Sequence, residues 1–223
     1  ETIVKTKTSF DRSIMPVPGA DPTLTLPTIW ENKLSNGMKV YGIEHNELPL
    51  IQYNIVLKGG HYLDDINKPG VANLVSKVIN QGTKSKTPEQ FEEAIEKLGA
   101  TINVYSDNND LTISVNTLSR NFEKSLALVE EMLFEPRWDS TEFSLAKINV
   151  LNRIKRSKAN PNYLANTFFV KLAYGEKNIL SIPNEGTEAS VTSISLDDLK
   201  NFYNSNFSPS VANFHIVGSV KPE

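Results

Sequence analysis

Residues Gly70 to Thr83 read GVANLVSKVINQGT, and this stretch decides how the surrounding chain is arranged. Its apolar residues recur every three or four positions, the spacing of one buried helix face; they are Val71, Leu74, Val75, Val78 and Ile79. The same spacing gathers polar side chains on another face; they are Asn73, Ser76, Lys77 and Asn80. The stretch therefore predicts an amphipathic helix with a polar row. Taken alone, this pattern is typical of an ordinary surface helix.

The residues that frame this helix carry a more specific signal. The motif GVA at 70–72 opens the helix, GT at 82–83 follows it, and LKGG at 57–60 ends the segment before it. This frame resembles that of the M16 zinc peptidases, the family of insulinase, pitrilysin and the mitochondrial processing peptidases. Segments between 194 and 220 resemble the end of a first M16 domain, so the resemblance extends over about residues 30–222.

The resemblance implies which positions would form a metal site. Active M16 members carry H-x-x-E-H, in which two histidines bind zinc and the glutamate is the general base. Those positions hold Asn73, Ser76 and Lys77, and the third ligand, a glutamate in a later helix, corresponds to Arg153. Ammonium and guanidinium groups have no lone pair to give a metal, and serine is a poor base. The chain is therefore expected to hold no catalytic residue, cofactor or metal, with zinc in an active partner half.

Lys77 and Arg153 suggest a further hypothesis. If the fold follows the family, the two cations face each other across the altered site, where they need anions or water around them. A small anion, an acidic side chain or a substrate carboxylate could take that place. The alternative is that both cations are solvated in an open cleft.

The composition excludes several other classes of function. The 223 residues have a net charge of −3, which does not indicate binding to nucleic acid. No run of about eighteen apolar residues predicts a membrane span, and the absence of cysteine removes disulfides and thiolate chemistry. Neither a G-x-S-x-G elbow nor a glycine-rich phosphate loop occurs. The three histidines, His45, His61 and His215, are far apart, and each is expected to be structural or solvated.

Alternating and helical patterns predict the remaining elements. Hairpins are expected over 29–45 and 101–118, a long strand over 50–62 and a final strand over 211–220. Helices are expected after Thr87, from Phe122, after a Ser140 cap, from Pro161 and after Ser195, with 175–193 as a loop. This order predicts an α+β fold in which helices cover one antiparallel or mixed sheet. The resemblance makes it an M16 metallopeptidase (LuxS/MPP-like) domain.

We expect residues 1–28, which hold Pro16, Pro18, Pro22 and Pro27, to be an extended linker or arm, and 29–223 to be one M16-like domain. The chain starts without methionine, so it is expected to be part of a longer polypeptide. The resemblance implies the non-catalytic half of an M16-type peptidase, which with an active half forms a chamber that holds unfolded peptide. A structural subunit like the respiratory-complex core proteins is an alternative, and an enzyme with altered chemistry is another. A bacterial periplasmic or envelope location is a guess from this arrangement.

Overall fold

The computed structural model describes residues 11, 13–15, 19, 21, 23 and 25–221. Six strands in this part of the chain form one mixed sheet in the order β1-β2-β6-β3-β5-β4. Strands β2 and β6 run parallel, and the other neighbours are antiparallel. The strands are β1 (Ile29–Lys33), β2 (Lys39–Glu44), β3 (Leu50–Lys58), β4 (Thr101–Ser106), β5 (Asp110–Leu118) and β6 (Ala212–Gly218).

The described residues form seven α-helices: α1 (Val71–Val78), α2 (Pro88–Lys97), α3 (Phe122–Phe134), α4 (Ser140–Ser157), α5 (Pro161–Tyr174), α6 (Glu188–Ser193) and α7 (Leu196–Asn206). Capping boxes begin three of them, α2 at Thr87, α6 at Thr187 and α7 at Ser195. These boxes satisfy backbone N–H groups that the first helical turn leaves unpaired. The predicted α+β class, with helices and one mixed sheet, is confirmed.

The core lies between the helices and one face of the sheet. Alternate residues of β3, among them Tyr53 and Ile55, are buried on this face, whereas Gln52 points to the exposed face. Helix α1 lies in the middle of the core, because it contacts β4, α4 and α7. Its Leu74 and Val75 are fully buried. The helix that carries the polar row is therefore enclosed on several sides, unlike an amphipathic surface helix.

The described residues differ from the sequence-based prediction in several places. Strand β3 ends at Lys58 instead of continuing to Tyr62, because Gly59 has a φ of 132° and leads into a 3₁₀ turn at His61–Leu63. Helix α4 is capped by Asp139, whose carboxylate accepts hydrogen bonds from the first-turn amides, and Ser140 is the first helical residue. The segment 175–193, predicted as a loop, contains α6 and a short 3₁₀ turn.

Helix α5 also departs from the usual amphipathic arrangement. Its predicted apolar line is Leu164, Phe168 and Leu172, yet Phe168 is 65% exposed and Leu172 is 86% exposed. No residue of α5 is buried among the described residues. Most of the predicted arm, residues 1–28, lies outside the described residues. No helix in the described part of the chain is both long and apolar enough to cross a membrane.

The loop that follows α1 is bound to α3 by hydrogen bonds to one carboxylate, that of Glu131. Glu131 accepts a hydrogen bond from Thr83 Oγ1 at 2.6 Å and further hydrogen bonds from Ser85 and Lys86. Partial burial alone would raise the pKa of Glu131, but the hydrogen bonds from Lys86, Ser85 and Thr83 outweigh it and lower the pKa to about 2. The ionised carboxylate is thus the form that the fold selects.

We expect Glu131→Gln to lower the free energy of unfolding by about 1–2 kcal/mol at neutral pH, because it removes the charge from these hydrogen bonds. A carboxyl group whose pKa is lower in the folded than in the unfolded chain stabilises the fold at pH values above the unfolded pKa. This stability is lost as the pH falls towards the folded pKa of about 2. Urea denaturation at decreasing pH should therefore show the free energies of unfolding of wild type and Glu131→Gln becoming more similar. The exposed Glu130→Gln is the control, and an equal loss there would contradict the assignment to Glu131.

Candidate functional site

The start of α1 is built from two chain segments that approach closely at glycines. Gly70 has a φ of 104°, and a Cβ there would lie 2.7 Å from the carbonyl oxygen of Glu185. Gly186 has a φ of 81°, and a Cβ there would lie 2.3 Å from the carbonyl oxygen of Pro69. Ser190 Oγ donates to that same carbonyl at 2.8 Å. These contacts place Glu185 beside the polar row of α1.

A buried ion pair holds the segment before α1. His61 Nδ1 lies 2.9 Å from Asp64 Oδ2, and His61 Nε2 lies within 3.0 Å of the carbonyl oxygens of Ile179 and Ile182. Asp64 also accepts hydrogen bonds from the amides of Gly70 at 2.7 Å and Ala72 at 2.8 Å. Because all these partners are acceptors for His61, both ring nitrogens carry protons. The structural role expected for His61 is therefore a buried imidazolium–carboxylate pair.

The first two positions of the polar row are inside the protein. Asn73 is 6% exposed and Ser76 is 1% exposed. Ser76 Oγ donates to the backbone carbonyl of Asn73 at 2.7 Å, a local hydrogen bond within the helix. In contrast, Asn73 Oδ1 is buried with no hydrogen-bond partner in the described part of the chain. Lys77, one turn after Asn73, is half-buried.

Arg153 on α4 lies near enough to Lys77 on α1 for its charge to act on the lysine. Burial lowers the pKa of Lys77 first, the positive charge of Arg153 lowers it further, and the carboxylate of Glu185 offsets part of both effects. Arg153 Nη1 forms an ion pair with Glu185 Oε1 at 3.0 Å. An acidic side chain of the chain itself is therefore one counterion of the two cations.

These residues do not fit a zinc ion. Lys77 and Arg153 offer no lone pair, and two positive charges repel a divalent metal. Asn73 and Ser76 are weak neutral donors compared with the histidine and carboxylate ligands that zinc prefers. Within the described residues, no group of three or more His, Asp or Glu side chains is arranged to hold a metal ion. The chemistry that the site supports is ionic and hydrogen-bonded contact.

Sequence reasoning missed Glu185 and the partner of His61. Glu185 lies in the segment predicted as a loop. The sequence pointed to it only indirectly, because Lys77 and Arg153 were expected to need an anion nearby. Asp64 is three residues after His61, a spacing that allows contact in a turn, but the buried carbonyls of Ile179 and Ile182 come from a distant segment. A cavity of about 660 Å³ lies elsewhere, lined by residues of β1, β2, β3, β6, α3 and α7, with no residue of α1 or α4.

Comparisons with known proteins agree with this geometry. The chain is 27% identical over 161 residues to the non-peptidase homolog YmxG of Helicobacter pylori, which covers 70% of this chain and 36% of that protein. It is 21% identical over 192 residues to an uncharacterized zinc protease of Rickettsia bellii, covering 86% of this chain and 46% of that protein. The chain thus spans less than half the length of these two relatives.

A solved structure and a family profile complete the comparison. The fold matches a peptidase M16 inactive domain from Pseudomonas fluorescens with a TM-score of 0.82 and 25% identity, covering 87% of this chain and 47% of that one. The profile of Insulinase (Peptidase family M16) matches residues 43–182, which is more than half of the chain. That span includes α1 and the Arg153 of α4. The chain therefore belongs to the insulinase family of peptidases, family M16.

Proposed function

We propose that this chain is a non-catalytic domain of an M16-type peptidase and forms part of a chamber that holds an unfolded peptide. The observation that carries the proposal is the ion pair between Arg153 and Glu185, beside Lys77. The family resemblance assigns Lys77 and Arg153 to positions of zinc ligands. A salt-bridged guanidinium cannot serve as a metal ligand. The names of the Helicobacter pylori relative and the Pseudomonas fluorescens domain support the same conclusion.

In this proposal the catalytic zinc belongs to an active M16 half, on the same polypeptide or in a separate subunit. This chain would form part of the chamber wall, exclude folded proteins and contact the peptide. Residues 29–223 would be the domain, and residues 1–28 the arm that leads to it. The two relatives, each more than twice as long as the matched part, support an arrangement in which this domain works beside others.

The proposal is tested with the purified chain and an M16 protein that carries an intact H-x-x-E-H motif from the same organism. We expect the chain alone to bind no stoichiometric zinc by elemental analysis and to leave an unstructured peptide uncut. Added to the active protein, it should form a defined complex in light scattering and increase zinc-dependent cleavage. Stoichiometric zinc in the chain, or cleavage by it, would overturn the proposal.

The same experiment separates the structural alternative. A subunit with a purely architectural role would form a complex without changing the rate of peptide cleavage. An enzyme with its own altered chemistry would act on a substrate in the absence of the active half.

A further inference from the structure

The α1–α4 cluster, defined as Asn73, Lys77, Arg153 and Glu185, has more positive than negative charge. Its two cations face one carboxylate, and that carboxylate is paired with Arg153 at 3.0 Å. No carboxylate oxygen lies within the 4.0 Å ion-pair limit of Lys77 in the described part of the chain. A half-buried ammonium without a close anion is poorly solvated and attracts one.

Asn73 adds an independent observation that points to a ligand. Its side chain is more than nine-tenths buried, and its Oδ1 accepts no hydrogen bond. Buried amide oxygens are nearly always paired, since leaving one unpaired is costly. Asn73 and Lys77 are four residues apart, so their side chains lie on the same face of α1. An N–H donor and an anion on one ligand would satisfy both residues. Since Oδ1 is closed to solvent, the Asn73 amide must rotate before a ligand N–H can reach it.

We propose that the α1–α4 cluster binds a carboxylate of a peptide, with Lys77 and Arg153 contacting the carboxylate. Asn73 Oδ1, once its amide rotates towards the ligand, accepts a backbone N–H of the same peptide. The inference rests on the proposed peptide-holding function and names the ligand chemistry at its vacated zinc site. A peptide offers both required groups within a few ångströms, as an acidic side chain or as a C-terminal carboxylate.

The surrounding charges favour a singly charged carboxylate over a phosphate. Glu185 stays close to Arg153 and repels a dianion more strongly than a monoanion. Tyr163 on α5 lies near Glu185, and its pKa is raised first by burial and then by that carboxylate, so its hydroxyl stays protonated. The nearby Lys158 is already paired with Glu188. Within the α1–α4 cluster, Lys77 is therefore the cation without an ion-pair partner in the described part of the chain.

Three fluorescent peptides of one length and no defined structure test the proposal by anisotropy with the full chain. One has no acidic residue and a free C-terminus; the second has an amidated C-terminus and one Glu; the third replaces that Glu with Gln. We expect at least one carboxylate peptide to bind about tenfold more tightly than the Gln peptide, as a charge-assisted hydrogen bond would give. Comparison of the first two identifies the source of the carboxylate.

Variants then assign the binding to the cluster. Lys77→Gln should remove most of the preference for the carboxylate, whereas the exposed Lys124→Gln on α3 should leave it unchanged. Asn73→Leu should weaken binding several-fold without lowering the melting temperature, because no hydrogen bond of Oδ1 is lost. Glu185→Gln should tighten binding, since it removes the competing anion.

The experiments distinguish failure of the carboxylate site from failure of the proposed peptide-holding function. Equal binding of all three peptides would overturn the carboxylate site and leave the peptide-holding function intact. No binding of any peptide would overturn both. Equal effects of Lys77→Gln and Lys124→Gln would show that the preference comes from general surface charge and would also overturn the site. A lowered melting temperature in Asn73→Leu with unchanged binding would assign Asn73 a structural role and remove it from the site.

Discussion

Replacement of Asp64 by Asn is expected to lower the free energy of unfolding by about 3–5 kcal/mol, the range measured when one partner of a buried ion pair is removed. The carboxylate of Asp64 is fully buried, and it joins the imidazolium of His61 to the amides of Gly70 and Ala72 at the start of α1. An Asn side chain keeps the volume but loses the charge. The result is an uncompensated cation in the core or a neutral His61 with a broken hydrogen bond.

The pH dependence follows from the pKa of His61. Burial alone would lower this pKa, but the hydrogen bond and charge of Asp64 and the carbonyls of Ile179 and Ile182 outweigh burial, so the net pKa is raised. A raised histidine pKa contributes stability that is complete below the unfolded value of about 6.5 and is lost as the pH rises through the folded value. The difference between wild type and Asp64→Asn should therefore shrink at alkaline pH.

Urea denaturation monitored by circular dichroism measures both effects. Asp65→Asn is the matched control, since Asp65 is exposed and adjacent in sequence, and its change should stay within about 0.5 kcal/mol. A loss for Asp64→Asn that is the same at every pH from about 6 to 9 would mean that His61 is neutral in the fold, contrary to the hydrogen-bond geometry.

Local signals in the sequence account for the elements that were predicted correctly. The Asn36-Gly37 turn fixes the hairpin of β1 and β2, and the capping box at Thr87 starts α2, because both depend on residues only a few positions apart. The parallel pairing of β2 with β6 joins distant segments and has no local signal. The order of the strands in the sheet could therefore not be predicted from the sequence and is known only from the structure.

The candidate site shows the same division between local and distant information. The i, i+4 spacing of Asn73 and Lys77 was readable from the helix pattern, but their burial was not, since it depends on α4 and α7. Phe168 shows the converse, since it occupies an apolar position of the helix pattern and yet is 65% exposed. Glu185 is placed by the close approach of Gly70 and Gly186, which no single segment of the sequence encodes.

Placing zinc ligands at the three positions that the family resemblance assigns to them should create a zinc centre. We expect the triple variant Asn73→His, Lys77→His and Arg153→Glu to bind one zinc ion, because two histidines one helical turn apart and a carboxylate on α4 replace a neutral amide and two cations. Without zinc, the new carboxylate lies near Glu185, and repulsion should destabilise the variant relative to wild type. Zinc relieves the repulsion.

Thermal unfolding in EDTA and in zinc measures this change. Ligand binding to the folded state stabilises it by about 2.7 kcal/mol at a free zinc concentration about 100 times Kd. The matched control is the double variant Asn73→His and Lys77→His, which keeps the Arg153 cation and should bind zinc far more weakly. A folded triple variant that takes up no zinc would show that these positions are not equivalent to the ligand positions of active members.

Peptide cleavage is not expected to return with the metal. The triple variant lacks a general base, which the zinc-bound water requires. The resemblance assigns the position of that base to Ser76. Because Ser76 is 1% exposed and donates to the Asn73 carbonyl at 2.7 Å, a longer carboxylate does not fit there without repacking. Adding Ser76→Glu should therefore lower the melting temperature while cleavage of an unstructured peptide stays at the EDTA baseline. Cleavage by this quadruple variant would instead show that α1 still accommodates the base, and that loss of the four side chains alone separates this chain from an active peptidase.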